Sequence, residues 1–184
     1  MNRMIPRLAM YAALALLVRT HAAESPAAPV PLAKPGDEYV SLQVEGCANK
    51  CPSFEIYVFR TGRMTFRSNN SYTSERGTHF KSGMPDIYDK ISKYLQESGA
   101  FAAATDCTER NDATSIATVQ AAKDSQVQKA SWSSSCAEQR AKGRAIVKVF
   151  VNQTGMWRLI RSDTRYWEQY WEDPDMTGRE QVSQ

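Results

Sequence analysis

The sequence predicts an α+β fold: a small antiparallel sheet with one or two packed helices and a C-terminal helical, aromatic-rich segment. Three observations lead to this class. Alternating apolar residues indicate short strands, an amphipathic helix with signals at both ends lies between them, and aromatic residues recur at helical spacing near the C-terminus. The chain has 184 residues, of which 42% are hydrophobic and 23% charged. Such values are typical of one soluble domain and exclude collagen-like, strongly disordered and multi-span membrane proteins.

The first 22 residues resemble a cleavable secretory signal. Arg3 and Arg7 precede an apolar run of 11 residues at 8–18, and small residues at Thr20 and Ala22 suit a signal peptidase. The alternative is a retained anchor, but 11 helical residues span only about half of a bilayer's hydrocarbon layer. We therefore expect cleavage after Ala22, with Ala23 as the alternative position, and a periplasmic or secreted protein without a stable membrane span.

Charge is balanced once this segment is removed. Arg3, Arg7 and Arg19 account for the formal net charge of +3, so residues 23–184 carry 20 basic and 20 acidic groups. A neutral body gives no electrostatic reason to expect a nucleic-acid partner.

The remaining chain divides into three parts. Residues 23–37 hold four prolines and no apolar periodicity, which is typical of an extended spacer. Residues 38–162 form the predicted α+β domain, and residues 163–184 form a C-terminal segment.

Strands are predicted first within the domain. Val40, Leu42 and Val44 alternate with polar residues, which indicates a half-buried strand. The stretch 53–67 has apolar residues on both faces and a turn at Gly62, which predicts a hairpin whose first strand is central. Residues 68–83 are polar and rich in turn formers, so we expect a loop there.

Helix signals follow. Pro85 suits a first helical turn, apolar residues recur at four-residue spacing from Ile87 to Leu95, and Gly99 suits a helix C-terminus. Two weaker strands are predicted at 113–119 and 126–132. Residues 138–153 fit either a helix or a strand, and we favour a helix that ends near Gly155.

Four cysteines lie in the exported body, and an even count there predicts two disulfides. Three pairings are open. We favour Cys47–Cys51, which are close in sequence, and Cys107–Cys136, which would tie the segment after the helix to the segment after the late strands.

The first two cysteines also carry a family resemblance. The run Leu42-Gln43-Val44-Glu45-Gly46-Cys47-Ala48-Asn49-Lys50-Cys51-Pro52-Ser53-Phe54 resembles the strand, Cys-x-x-x-Cys-Pro, strand opening of the DUF6438 domain, a bacterial family of unknown function. The hairpin and the helix ending in Gly99-Ala100-Phe101 are similar too. The resemblance covers roughly residues 39–160. It implies an α+β domain of the bacterial envelope and implies no activity.

Two chemistries could use the cysteines. Thiol–disulfide exchange at Cys47 and Cys51 would need a depressed thiol pKa, but the spacing is Cys-x3-Cys, the pair lies between strands, and Lys50 is the only adjacent cation. A zinc site would need all four thiolates close enough to form a tetrahedron. Cys107 and Cys136 are separated by 28 residues, far more than the short spacing of paired zinc ligands. We predict structural disulfides, no metal and no cofactor.

No catalytic residue is predicted elsewhere. His79 is the only histidine beyond the signal and lies in a polar stretch without a nucleophile elbow. Asp106, Glu109 and Asp112 lack the spacing of a calcium loop. Both sets are expected to be solvated.

Aromatic residues near the C-terminus form two pairs four residues apart: Tyr166, Trp167, Tyr170 and Trp171. On a helix they would share one face, which could complete the core or present a surface to a partner. We expect an exported, non-catalytic binding or structural module whose partner is an envelope protein or a glycan. The alternative is a thiol–disulfide oxidoreductase that uses Cys47 and Cys51.

Overall fold

The fold was analysed in a computed structural model, which describes residues 32–45, 51–68, 73–102 and 114–160. The elements are, in chain order, β1 Tyr39–Glu45, β2 Phe54–Phe59, β3 Arg63–Ser68, β4 Gly77–Ser82, α1 Asp86–Glu97, β5 Ile116–Lys123, β6 Gln126–Ser133, α2 Ala137–Thr154 and α3 Trp157–Ile160. The predicted α+β class is confirmed.

All six strands form one antiparallel sheet in the order β4-β3-β2-β1-β5-β6. The predicted hairpin is β2–β3, and β2 is indeed flanked on both sides. One prediction was wrong: residues 77–82 form strand β4 rather than part of a loop, so His79 lies on a strand. Pairing with β3 decides this, because the polar stretch has no apolar alternation that would indicate a strand.

Helices α1 and α2 follow the sequence signals closely, whereas the short helix α3 was not predicted. Pro85 is the N-cap residue of α1, and Tyr88, Ile91 and Leu95 form its buried stripe. The ambiguous stretch is helix α2, and Gly155 ends it with φ +63°, in the left-handed region that favours glycine.

A single apolar core lies between the helices and one face of the sheet. Its strand residues are the alternate ones: Val40, Leu42, Val44, Phe54, Ile56, Val58, Met64, Phe66, Ala117, Val119 and Trp132. The buried hydrophobic residues of all three helices belong to the same core, so the described helices pack on this face. Neighbouring strand residues point the other way. We call that second side the open face, because none of the described helices packs on it.

The β2–β3 turn has no room for a side chain at Gly62. Its φ is +84°, and an added Cβ would lie 2.8 Å from the carbonyl oxygen of Gly83. We expect Gly62→Ala to lower the free energy of unfolding by about 2–3 kcal/mol. Gly77→Ala is the matched control, since Gly77 has φ +90° but no atom within 4 Å of an added Cβ. Urea unfolding should show the larger loss at Gly62, and equal losses would contradict the close approach.

Among the described residues, no helix combines the length and apolar character needed to cross a bilayer.

Candidate functional site

The open face combines aromatic and polar side chains in cross-strand rows. The middle row runs Phe80, Thr65, Tyr57, Ser41, Gln120 and Lys129. The next row is polar throughout and runs Thr78, Arg67, Glu55, Gln43, Thr118 and Ser131. Ser41, Thr65 and Thr118 of these rows are buried. Tyr57, Gln43 and Gln120 are partly exposed, so the accessible part of the two rows includes a tyrosine and two amides.

Three rings form an aromatic cluster where β1 begins and β2 ends. Tyr39 lies 5.4 Å from Tyr57 and 6.0 Å from Phe59, and the planes of Tyr57 and Phe59 differ by only 19° at 6.1 Å, all measured between ring centroids. The Arg63 guanidinium lies 3.7 Å from the Phe59 centroid. Phe59 is covered, while Tyr39 and Tyr57 are half-buried and reach solvent.

Arg63 also connects this cluster to the chain before β1. Its guanidinium lies 3.6 Å from the Asp37 carboxylate and donates to the Leu32 carbonyl at 3.4 Å. Arg63 thus contacts the Phe59 ring of the aromatic cluster and, at the same time, two residues that precede β1.

The polar row carries compensated charge. Arg67 and Glu55 form an ion pair at 2.6 Å with only about a fifth of each side chain exposed. In the same row, Thr118 and Ser131 share a hydrogen bond at 2.8 Å. Outside this row, Tyr39 donates to the side-chain oxygen of Gln120 in the middle row at 3.4 Å. Because the charges are paired, this row offers hydrogen-bonding groups rather than a net potential.

Both tyrosines stay protonated at physiological pH. Burial raises the pKa of Tyr57, with a smaller contribution from Glu55, and burial likewise raises the pKa of Tyr39, with a smaller contribution from Asp37. Their hydroxyl groups can therefore donate as well as accept hydrogen bonds.

The described residues do not assemble a hydrolytic or metal site. The His79 ring donates to the Arg76 carbonyl at 2.9 Å and lies 6.0 Å from the Phe66 ring, on the side of the sheet opposite the open face. Within the described ranges, no three His, Cys, Asp or Glu side chains are grouped to hold a metal ion. Asp106, Glu109 and Asp112 lie outside those ranges.

A small cleft of about 140 Å³ lies on the helical side, between the end of α1 and the first half of α2. Trp132 and Ile146 contribute apolar surface to it. Gln139 lines it too, and its side-chain oxygen accepts from the Ser133 amide at 2.9 Å. This bond joins α2 to the end of β6, which favours a structural role for Gln139.

Two of the four predicted disulfide cysteines are described. Cys51 precedes β2 and is 1% exposed, and Cys136 is the N-cap residue of α2. Neither is a free thiol. Cys47 and Cys107 lie outside the described residues, so the pairs Cys47–Cys51 and Cys107–Cys136 stay predictions.

The predicted aromatic surface of Tyr166, Trp167, Tyr170 and Trp171 also lies outside the described residues and stays a prediction. Sequence reasoning missed the open face as a site. The signal was available, since Tyr57 and Phe59 stand on the second face of the β2 pattern. In the sequence, these two residues indicated only that β2 is a central strand. The strand order then places Tyr39 of β1 beside them, which forms the aromatic cluster.

Comparison with known proteins gives one result. Searches of curated proteins and of solved structures find no significant match. A protein-family model, described as a domain of unknown function (DUF6438), matches residues 38–149, which is more than half of the chain and includes every described strand and most of α2. The resemblance seen around Cys47 and Cys51 is thereby confirmed, and the chain belongs to the DUF6438 family.

Proposed function

We propose that this protein is an exported, disulfide-stabilised and non-catalytic binding module of the bacterial envelope, and that its open face binds an envelope glycan. One observation carries the proposal: on that face the half-buried Tyr39 and Tyr57 lie next to glutamine side chains and to the ion pair of Arg67 with Glu55.

Export and disulfides are supported by the sequence. Residues 1–22 have the three parts of a secretory signal, and the exported body has an even number of cysteines. The absence of free thiols among the described cysteines is compatible with an oxidising compartment.

The chemistry of the open face favours a glycan over a protein partner. Sugar rings present C–H groups that pack on aromatic faces and hydroxyl groups that pair with amides, carboxylates and guanidinium groups. Protein interfaces instead have an apolar centre. The large hydrophobic side chains that are exposed on this face, Phe80 and Val127, lie on its two edge strands.

The oxidoreductase alternative receives no support from Cys51. A catalytic thiol must be reached by a second thiol or disulfide, and catalytic pairs usually lie at a helix N-terminus. Cys51 is buried and precedes a strand.

The proposal predicts that Tyr57→Ala weakens glycan binding at least about tenfold, because one aromatic contact with its hydrogen bond is worth about 1.4 kcal/mol. Binding is measured by co-sedimentation with washed peptidoglycan sacculi and by titration with an N-acetylglucosamine hexamer. The protein used is the exported chain purified from the envelope.

Tyr94→Ala is the matched control. Tyr94 is also a half-buried tyrosine, but it lies on α1 beside the cleft, so its loss should change glycan binding less than about twofold. Circular dichroism confirms that both variants are folded. The proposal fails if the wild-type protein binds neither probe, or if both variants weaken binding equally.

A further inference from the structure

Strand β4 is an edge of the sheet, and in the described part of the chain it lacks the usual protection. Among the described residues it pairs only with β3, so one row of its backbone N–H and C=O groups faces outward. Five of its six residues are exposed and the sixth is half-buried. Natural edge strands are usually shielded by proline, a bulge or an outward lysine.

The one lysine of β4, Lys81, does not place its charge at the outer edge of the strand, where it would oppose pairing with another strand. The Lys81 ammonium group donates to the Thr154 carbonyl at 2.9 Å, at the end of α2, which holds the charge on the helical side of the sheet. No proline lies within the strand.

Apolar side chains are exposed at the same edge. Phe80 is 69% exposed in the middle of β4, and Met84, two residues beyond its end, is 66% exposed. Val127, at 60%, is the remaining large hydrophobic residue exposed in the described part of the chain, and it lies on the opposite edge strand, β6. An edge with open hydrogen-bonding groups and apolar side chains is a template for an added strand.

We propose that the added strand is β4 of a second copy of this chain, paired antiparallel about a two-fold axis at Phe80. In that register Phe80 faces its own counterpart, Thr78 faces Ser82 of the other copy, and His79 faces Lys81. Residues opposite each other in a sheet point to the same side, so each of these pairs lies on one side of the joined sheet.

The register contains no clash of charge. The Phe80 pair and the Thr78–Ser82 pair are uncharged, and the His79 ring and the Lys81 ammonium are each already bonded to a carbonyl of their own chain. The exported body has 20 basic and 20 acidic groups, so two copies do not repel one another at long range. A self-complementary patch of this kind suits a two-fold dimer.

The dimer would join two six-stranded sheets into one continuous sheet with both open faces on the same side. A polymeric ligand could then contact both faces at once, which would raise its apparent affinity. The dimer itself does not depend on the proposed glycan.

Sedimentation velocity of the exported chain, from about 1 to 500 μM, tests the proposal. We expect a concentration-dependent monomer–dimer equilibrium without added ligand. Phe80→Lys should weaken dimerisation at least about tenfold, because it removes the apolar pair and places like charges opposite each other. Val127→Lys is the matched control and should change dimerisation less than about twofold.

Cysteine substitution tests the register. Phe80→Cys should form an intermolecular disulfide with itself, because opposite residues of antiparallel strands have Cα atoms about 4.5–5.5 Å apart. Thr78→Cys and Ser82→Cys should cross-link only when the two variants are mixed.

Three results would overturn the proposal: a monomer at every concentration, a dimer that Phe80→Lys leaves intact, or equal weakening by both lysine variants. Cross-linking of Thr78→Cys with itself would overturn the register. Circular dichroism of each variant shows that its fold is kept. Glycan binding by a protein that stays monomeric would overturn this dimer while leaving the proposed function standing.

Discussion

Replacing Phe66 with alanine is expected to lower the free energy of unfolding by about 4 kcal/mol. Phe66 lies on β3, is fully buried, and stacks on Phe54 with 5.9 Å between ring centroids. Removing its ring forfeits the burial of a large apolar surface and leaves a cavity against the helices. The loss is a large share of the stability of an ordinary domain, so the variant should melt far below the wild-type protein.

Phe80→Ala is the matched control for this measurement. Phe80 lies on the neighbouring strand β4 but is mostly exposed, so its truncation should cost less than about 0.5 kcal/mol at low protein concentration. Guanidinium unfolding followed by circular dichroism measures both variants. Similar losses at Phe66 and Phe80 would mean that the core does not lie between the helices and the face of the sheet that carries Phe66.

The second large effect concerns the proposed disulfides. If Cys107 pairs with Cys136, the Cys107→Ala/Cys136→Ala variant should lose about 3–4 kcal/mol, because the bond closes the longer loop and so restricts the unfolded chain most. The Cys47→Ala/Cys51→Ala variant is the comparison and should lose about 2 kcal/mol. Denaturant titration under non-reducing conditions gives both values.

Single substitutions identify the partners. Cys107→Ala should release one thiol, which labelling and peptide mapping place at Cys136, and Cys47→Ala should release Cys51. Release of Cys51 by Cys107→Ala would show that the pairing is wrong. Two unpaired thiols in each wild-type pair would remove the disulfides from the proposed function altogether.

Local patterns predicted most of the secondary structure. Of the residues predicted at four-residue spacing, Ile91 and Leu95 are buried in α1 and Ile87 is partly buried against the same core. The hairpin turn lies at Gly62. These features depend on contacts within a few residues, which the sequence order displays directly. In the stretch 138–153, the apolar residues fit both helical and strand periodicity. The helix that we favoured there is confirmed as α2.

Strand β4 could not be predicted from the local sequence pattern. Five of the six residues of Gly77–Ser82 are exposed and none is fully buried, so the sequence shows no alternation of apolar and polar residues there. The strand forms because β3 supplies backbone partners. The candidate site depends on the same kind of contact. Tyr39 and Tyr57 are 18 positions apart, and the rings come together because β1 and β2 pair in one register.

The sequence by itself determined the α+β class, the position of the core-facing residues and the family to which the chain belongs. These follow from apolar periodicity and from a local motif, both of which are written in consecutive residues. Only the tertiary structure decided the strand order, the aromatic cluster on the open face and the exposed edge at β4. Those features arise from pairing between distant segments, and many pairings are compatible with the same local pattern until the backbone hydrogen bonds and the packing of the helices select one.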